Sequence, residues 1–283
     1  MTPSLQQQQI LDWFRNETTS AIVEAAAGSG KTSTLALVAQ EIKPISSCVA
    51  LAFAKVNAED FKRKLPPHVQ SSTFHSIWFR MLKRYLGTWP KVDGDKTFKW
   101  IKDNLSEDDI WIYGKFVNKL VGFAKNAGIG VLVDDVALEW ETLIEHHGMY
   151  LESRDGDLDE AISIAQRALA DAKKDRKVID FDDMLYLSLA FNVQCDKYNV
   201  VMLDEAQDTN SVQRSLLRRM VAPQPYGRLI AVGDPNQSIY GFRGADADAM
   251  EQLKTDFNCC VLPLSVSWRC SRAVVEEARK VLT

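Results

Sequence analysis

Cysteine is scarce in this sequence, and its spacing is not that of a disulfide framework. There are five cysteines among 283 residues, an odd number, and no C-x-x-C pair. Cys259 and Cys260 are adjacent within an apolar run, where successive side chains point to opposite faces of a strand. We therefore expect free thiols and a reducing compartment. The cysteines are Cys48, Cys195, Cys259, Cys260 and Cys270.

Long apolar runs are also lacking. No run approaches the roughly 18 consecutive apolar residues of a membrane-spanning helix, and the polar start MTPSLQQQQ is unlike a signal peptide. The net charge of −4 excludes a strongly basic chain, so any surface for nucleic acid has to be local. We expect no membrane association and a cytoplasmic protein, or a nuclear one if its source has a nucleus.

Five short apolar runs alternate with amphipathic segments such as TSTLALVAQEI and SVQRSLLRRM. Each run is partly β-branched and bounded by turn or polar residues, which is typical of parallel strands buried on both faces. The alternation predicts an α/β fold, with a parallel sheet flanked by helices and joined by right-handed crossovers. The predicted strands are 21–25, 48–53, 200–203, 229–232 and 260–264.

Strand signals are absent between about residues 76 and 177, where patterns such as YGKFVNKLVGFAK predict helices. A helical insertion within the α/β domain is the economical interpretation. Its charges are segregated: residues 80–125 hold ten Lys/Arg and six Asp/Glu, whereas residues 126–172 hold two and eleven. The basic half could face an anionic partner, or both halves could be solvated helix faces.

The segment EAAAGSGKTSTL has the context of a phosphate-binding loop, because G-S-G-K-T follows a predicted strand and opens an amphipathic helix. Small residues allow successive backbone N–H groups to surround phosphate oxygens, and the helix N-terminus adds partial positive charge. Lys31 is expected to contact the β and γ phosphates of ATP, and the Thr32 hydroxyl to coordinate Mg²⁺. The general pattern has glycine where this chain has Ala25, and alanine still permits the turn. The predicted loop contributes Ala25, Gly28, Ser29, Gly30, Lys31 and Thr32.

Three carboxylates follow the predicted strand VVML, in the segment DEAQD. If this strand lies beside the one that leads to Lys31, Asp204 and Glu205 reach the same crevice. Asp204 is then expected to hold Mg²⁺ through water, and Glu205 to orient and deprotonate the attacking water. Asp208 is open to two interpretations, a cap of the next helix or a member of a polar network. A solvated acidic turn is the alternative for the whole segment.

These motifs, followed by VGDPNQSIYGFRGAD at 232–246, resemble those of the UvrD/Rep/PcrA helicases of superfamily 1. TFHS, AFAKVNAED and LSVSWRCS resemble further segments of that family, in the same order. The likeness covers nearly the whole chain, is specific at these segments, and is weak in the helical insertion. It implies a RecA-like P-loop NTPase that binds ATP and Mg²⁺.

The resemblance implies further roles at the nucleotide. Gln7 is expected to read the adenine edge, although the four-glutamine run leaves Gln6 and Gln8 possible. Trp268 is expected to stack on the base. Arg269 is expected to be the arginine finger, and Gln237 to contact the γ-phosphate or its water and to sense hydrolysis. Arg243 is expected in the network that couples this site to DNA, with a surface salt bridge as the alternative.

The resemblance also places a single strand of DNA against aromatic side chains, which stack on any base and so suit a motor that passes over any sequence. Ordinary core packing is the alternative for each of these aromatics. Lys55 is expected to contact phosphate, although Ala54 stands where the family commonly has a polar residue. The residues expected at DNA are Phe53, Lys55, Thr73, Phe74, His75, Phe242 and Arg243.

By the same resemblance, residues 1–75 and 178–262 form a RecA-like ATP-binding domain, 76–177 an inserted helical subdomain, and 263–283 the start of a second RecA-like domain. We expect the chain to be a fragment of a longer 3′-5′ DNA helicase or a naturally shortened product, acting on single-stranded DNA or a duplex/single-strand junction. A nucleotide-gated DNA-binding module without motor activity is the alternative. A small-molecule kinase is disfavoured, because DEAQD and GDPNQSIYGFRG have no role there.

Overall fold

The computed structural model describes residues 2–237 and 248–269. Its strands are β1 (Ala21–Ala25), β2 (Cys48–Ala52), β3 (Gln70–Thr73), β4 (Lys91–Val92), β5 (Val178–Ile179), β6 (Val200–Asp204), β7 (Arg228–Gly233) and β8 (Cys260–Leu264). Six of them form one parallel sheet in the order β3-β2-β6-β7-β1-β8, and β4 pairs with β5 in a separate short ribbon. This is the predicted α/β architecture.

Helices flank the sheet and fill the predicted insertion. They are α1 (Leu5–Asn16), α2 (Lys31–Gln40), α3 (Lys55–Lys64), α4 (Phe74–Leu86), α5 (Lys96–Asn104), α6 (Glu107–Ala127), α7 (Ala137–His146), α8 (Leu158–Lys174), α9 (Phe181–Ala190), α10 (Ser211–Met220) and α11 (Ala249–Phe257). Short 3₁₀ turns span Ala206–Asp208 and Pro235–Gln237.

All five predicted strands are confirmed, and a sixth strand of the sheet was missed. Each residue of β2 is buried, as expected of a strand inside a parallel sheet. The missed strand β3 has the polar sequence QSST and lies at the sheet edge, where it pairs with β2. An edge strand does not require the continuous apolar run on which the prediction relied.

Two hydrophobic cores lie on opposite faces of the sheet, because alternate residues of a strand point to opposite sides. One face packs against α1, α2 and α3, with Val23 and Val232 in its core. The other face, which includes Leu51, shares a continuous core with the helices of the insertion. The fully buried Trp78 and Trp140 belong to this shared core. The insertion is therefore packed on the sheet through a common core.

A buried cluster of charges joins the start of α9 to the insertion helices. Lys125 Nζ of α6 lies 2.8 Å from Asp183 Oδ1, and it also pairs with Asp180. Lys96 Nζ of α5 lies 2.7 Å from Asp183 Oδ2. Asp180 and Asp183 also form a reciprocal capping box at the helix N-terminus. This arrangement gives the segment DFDDM a structural role and fixes the position of Phe181.

The predicted domain limits lie close to element boundaries without coinciding with them. Helix α4 begins at Phe74, just before the predicted limit at residue 76, and β8 extends to Leu264, beyond the predicted limit at 262. The division into three parts stays a prediction.

Candidate nucleotide site and nucleic-acid cavity

The loop between β1 and α2 has the backbone of a phosphate-binding loop. Gly28 and Gly30 have φ of +71° and +91°, a left-handed conformation that glycine adopts without steric cost. A Cβ on Gly28 would lie 2.4 Å from Arg269 Cβ, so this position also lacks room for a side chain. Ser29 is fully buried, and its Oγ has no hydrogen-bond partner among the described residues. The two glycines therefore give the loop a shape that fits a phosphate ligand.

The predicted catalytic side chains converge on one cavity of about 290 Å³ beside this loop, here called the nucleotide cavity. Ala25, in contrast, is buried inside β1 and does not line it. The lining residues are Ala27, Gly28, Gly30, Lys31, Thr32, Ser33, Lys64, Glu205, Gln237 and Arg269.

The carboxylates of DEAQD meet the loop through its lysine and threonine. Lys31 Nζ lies 2.7 Å from Glu205 Oε2, and Thr32 Oγ1 donates to Asp204 Oδ2 at 2.8 Å. The expectation that their strand lies beside β1 is wrong, because β7 lies between β1 and β6. Side chains at the start of α2 span this extra strand. The carboxyl ends of the parallel strands still meet at one edge of the sheet.

Electrostatics at this edge match a site for a cation. Burial and the neighbouring Glu205 charge raise the pKa of Asp204, and the hydrogen bond from Thr32 opposes this rise. Glu205 has φ of +53°, an unusual conformation for a non-glycine residue that is enriched at functional sites. Lys31 supplies positive charge now, and a cation held by Asp204 and Thr32 would add more. These oxygen donors are the kind that Mg²⁺ takes, together with water.

Asp208 does not cap the following helix, so the capping interpretation is wrong. Asn210 is the N-cap of α10 and forms a capping box with Gln213. Asp208 is 5% exposed, and its Oδ1 has no hydrogen-bond partner among the described residues. Burial and the Glu205 charge raise the pKa of Asp208 to about 7, and Lys31 opposes this rise.

Among the three candidate glutamines, Gln7 is the one beside the phosphate loop. Its Nε2 donates to Thr34 Oγ1 at 3.1 Å and lies 3.6 Å from the Cβ position of Gly30. Gln6 instead binds Ser265, and Gln8 binds Asp12. Position beside the phosphate loop therefore favours Gln7 over Gln6 and Gln8 as the glutamine expected to read adenine.

The segment after β8 crosses the phosphate loop. Trp268 N donates to Gly28 O at 2.9 Å, and the Trp268 side chain is 72% exposed. Arg269 lines the nucleotide cavity with Glu205 and Gln237. The structure thus brings the predicted arginine finger to the predicted catalytic carboxylate.

The residues expected at DNA do not all lie together. Phe53 and His75 line a second cavity of about 270 Å³, here called the aromatic cavity. Thr73 caps α4 by accepting from Ser76 N, and Lys55 is exposed at the start of α3. Phe242 and Arg243 lie outside the described residues. The lining of the aromatic cavity is Phe53, His75, Asn126, Phe181, Asp182, Asp208, Asn210 and Gln213.

Phe74 packs in the core and is 4% exposed, so the structure favours the packing alternative over base stacking at this position. Its neighbour His75 points to the aromatic cavity, and burial lowers the His75 pKa. Consecutive residues at the start of a helix face different directions, which explains why Phe74 is in the core while His75 lines the cavity.

Sequence reasoning missed two residues with suitable positions. Phe181 is 59% exposed and lines the aromatic cavity with Phe53. Lys64, at the end of α3, lines the nucleotide cavity. No local signal identifies Phe181, because the aspartates around it in DFDDM include the buried Asp180 and Asp183. No local signal distinguishes Lys64 from its neighbours Lys62 and Arg63.

Two negative findings concern the described part of the chain. No helix there is long and apolar enough to cross a bilayer. No group of three His, Cys, Asp or Glu side chains there is arranged to hold a metal ion unaided. The proposed Mg²⁺ site, with one threonine and one aspartate, is not of that kind.

Comparison with known proteins extends over most of the chain. It is 27% identical to a probable DNA helicase II homolog of Mycoplasma pneumoniae, over 92% of this chain and 39% of that protein. It is 24% identical to the ATP-dependent DNA helicase UvrD1 of Mycobacterium leprae, over 94% of this chain and 38% of that protein. The chain thus spans about two fifths of the length of these relatives.

A solved structure of Bacteroides sp Pif1 in complex with ADP-AlF4 aligns over 99% of this chain and 46% of its own, with 11% identity and a TM-score of 0.37. The model of the UvrD/REP helicase N-terminal domain family matches residues 5–258. The chain therefore belongs to the UvrD/REP helicase N-terminal domain family.

Proposed function

We propose that this chain is the ATP-binding part of an ATP-dependent DNA helicase or translocase that binds single-stranded DNA. The observation that supports this best is the convergence of Lys31, Glu205 and Arg269 on one cavity beside a glycine loop. The relatives named as DNA helicases support the same class of activity. Unwinding with 3′-5′ polarity, by the whole protein, is the part of the proposal that rests on family resemblance.

The residues at the nucleotide cavity fit a magnesium nucleotide. Backbone N–H groups of the loop and the Ser29 hydroxyl hold phosphate oxygens. Thr32 and Asp204 hold Mg²⁺. When bound, Mg²⁺-ATP supplies the γ-phosphoryl group and the cation that offsets its charge. Gln7 and Trp268 contact the base.

Hydrolysis requires Lys31 to exchange partners. Lys31 now pairs with Glu205 at 2.7 Å, and it exchanges this carboxylate for a phosphate oxygen. Glu205 is then free to orient a water molecule and accept its proton. Arg269 stabilises the charge that develops on the transferred group, and Gln237 contacts the same region.

DNA binds at the aromatic cavity through stacking. Phe53 and Phe181 offer aromatic faces, and stacking on such faces is worth about 1–3 kcal/mol per base. The segment 204–210 runs from the nucleotide cavity to the aromatic cavity, with Glu205 lining the first and Asp208 the second. This short path is a route by which the two sites influence each other. Phe242 and Arg243 remain proposed DNA contacts from the sequence alone.

The test is nucleotide binding and ATP hydrolysis by this chain, with and without single-stranded DNA. Lys31→Ala should weaken ATP binding by at least about tenfold, because it removes the cation beside the phosphate loop. Glu205→Gln should keep ATP binding and abolish any turnover. Lys43→Ala, at an exposed lysine outside the cavity, is the matched control.

Unchanged ATP binding by Lys31→Ala would contradict the proposal. DNA binding that responds to ATP without any turnover would instead favour the nucleotide-gated module without motor activity. Turnover that depends on Glu205 and rises with DNA would favour a site that is catalytically complete.

A further inference from the structure

Asp208 carries a buried oxygen with an unused hydrogen-bonding capacity. The residue is 5% exposed, lines the aromatic cavity, and its Oδ1 has no partner among the described residues. A buried acceptor without a donor destabilises the folded state. Such a destabilisation is expected where a ligand brings the missing donor.

Several other polar groups of this cavity bind one another. Asn126 Nδ2 donates to Asp182 Oδ1 at 3.3 Å and to Gly122 O at 2.9 Å. Asn210 Nδ2 donates to Asn126 Oδ1 at 2.7 Å. The side-chain oxygens of Asn210 and Gln213 each accept from the backbone N–H of the other, in the capping box of α10. Asp208 Oδ1, in contrast, is a buried oxygen of this wall without a partner among the described residues.

The charge of the cavity excludes a phosphate and favours an uncharged ligand. Burial raises the pKa of Asp182 to about 6 and that of Asp208 to about 7, and it lowers the pKa of His75. All three shifts favour the neutral form of the group. No lysine or arginine is among the described residues that line the cavity, so a phosphate placed here would lose hydration without gaining a cationic partner. A flat, neutral ring with an N–H group suits the aromatic walls and the free acceptor.

Nucleobases have this chemistry. Adenine, cytosine and guanine carry amino groups on their edges, and thymine carries an N–H in its ring. In a duplex the pairing edge of every base is engaged with the partner base, although one amino hydrogen of adenine, cytosine or guanine stays accessible in a groove. An acceptor that reaches the pairing edge therefore selects unpaired bases without selecting a sequence.

We propose that Asp208 Oδ1 accepts a hydrogen bond from the pairing edge of an unpaired nucleobase held in the aromatic cavity. This proposal rests on the proposed binding of single-stranded DNA and adds a residue that distinguishes single strands from duplex. Asp208 lies three residues after Glu205, on the turn that leads away from the nucleotide cavity. The base contact is thus made by the same turn that follows the catalytic carboxylate.

The test compares two oligonucleotides of equal length at one salt concentration, since phosphate contacts depend on salt. One is oligo-thymidine, and the other carries 2,4-difluorotoluene, which has the shape of thymine without an N–H donor. We expect wild type to bind oligo-thymidine about tenfold more tightly, as measured by fluorescence anisotropy. Asp208→Leu, which has no acceptor, should bind the two equally. Asp208→Asn, which keeps an oxygen at the same position, should retain a preference.

Two controls separate this contact from stacking and from general charge. Phe181→Ala should weaken binding of both oligonucleotides while leaving their ratio unchanged. Asp103→Ala, at an exposed carboxylate outside the cavity, should change neither. Thermal melting of each variant shows whether it is folded, and the wild-type comparison needs no variant at all.

Equal binding of the two oligonucleotides by wild type would overturn the role of Asp208 while leaving DNA binding intact. A preference that persists in folded Asp208→Leu would overturn it as well. No binding of oligo-thymidine by wild type would overturn both the proposed function and this inference.

Discussion

Two glycines in the left-handed conformation differ in what surrounds them. Gly28 has φ of +71° and Gly87 has φ of +66°, so an alanine at either position carries a similar backbone strain of about 1–2 kcal/mol. Around Gly87 nothing lies within 4 Å of the added Cβ, whereas at Gly28 it would lie 2.4 Å from Arg269 Cβ. The two positions therefore separate backbone strain from crowding at the phosphate loop.

We expect Gly28→Ala to lower the free energy of unfolding more than Gly87→Ala does, because crowding against Arg269 adds to a similar backbone strain. Only Gly28→Ala should also weaken ATP binding, by about tenfold, because the loop or the segment carrying Arg269 has to move. Urea unfolding measures the first effect, and titration with a fluorescent ATP analogue measures the second. Equal ATP affinities of the two variants would contradict this reading of Gly28.

Lys64 is a further residue that the fold brings to the nucleotide cavity. It lines the cavity, whereas Lys62, on the same last turn of α3, does not. We expect Lys64→Ala to weaken ATP binding by several-fold, with a larger effect at low salt because an exposed ammonium is screened. Lys62→Ala should have little effect. Equal effects of the two substitutions would indicate general charge attraction only.

The residues of the site differ in how far the sequence reveals them. Lys31 and Thr32 lie in one short segment, and Asp204 and Glu205 in another, so the sequence predicts each pair. The two segments meet because both strands end at the same edge of the parallel sheet, although β7 lies between them. Lys64 reaches the cavity only through the packing of α3 against the sheet, which no local pattern encodes. Phe74 and His75 show the same limit, because their sequence context does not say which of two adjacent rings faces the core.

At the scale of elements, the sequence predicts strands better than their order. Four of the five apolar runs form interior strands of the sheet, where burial on both faces demands continuous apolar residues, and the fifth, β8, lies at an edge with part of its length exposed. The polar edge strand β3 and the position of β7 between β1 and β6 depend on pairing partners far away in the chain. The hydrophobic pattern of the sequence specifies neither the edge strand β3 nor the position of β7.

Helix α9 contacts the insertion through buried ion pairs as well as through apolar packing. Lys125 is fully buried and pairs with Asp180 and Asp183, and these carboxylates raise its pKa against the opposing effect of burial. Lys125→Met keeps most of the volume but leaves two buried carboxylates with less compensation. We expect a loss of about 3–5 kcal/mol in the free energy of unfolding, as for other broken buried pairs.

The matched control for this cluster is an exposed ion pair. Lys99 Nζ lies 2.6 Å from Asp93 Oδ2, and its side chain is 57% exposed. Lys99→Met should change the free energy of unfolding far less than Lys125→Met does, since solvent screens such pairs. Urea unfolding of both variants measures the contrast, and a similar cost for the two would show that the buried cluster contributes no more than a surface pair.

At the scale of the whole molecule, the protein carries carboxyl groups with opposite pKa shifts. Hydrogen bonds from lysine or arginine lower the pKa of Glu41, Asp93 and Asp171, so their contribution to stability is lost in acid, as pH falls through these lowered values. Burial instead raises the pKa of Asp182 to about 6 and that of Asp208 to about 7. Each of these two carboxyl groups therefore keeps a proton in the native state at pH values where it has lost it in the unfolded state, from about pH 4 up to its raised pKa.

Asp182 should accordingly destabilise the fold at alkaline pH. Burial raises the pKa of Asp182 most, and the charges of Asp180 and Asp183 raise it further. The charge of Lys125 and the hydrogen bond from Asn126 lower it. Below the pKa that Asp182 has in the unfolded state, its raised native pKa contributes its full stabilisation of the fold. This stabilisation is lost as pH rises through about 6. Each pKa unit corresponds to about 1.4 kcal/mol, so an effect of about 1–3 kcal/mol is expected.

Asp182→Asn removes this titration while keeping an oxygen for Asn126. We expect the variant to be more stable than wild type at pH 8, and the difference to shrink markedly by pH 5, where Asp182 is largely protonated. Urea unfolding of both proteins at the two pH values measures the difference, with Asp103→Asn as the control at an exposed carboxyl. A stability gap that is the same at both pH values would mean that Asp182 titrates normally, and that the wall of the aromatic cavity is charged when DNA approaches it.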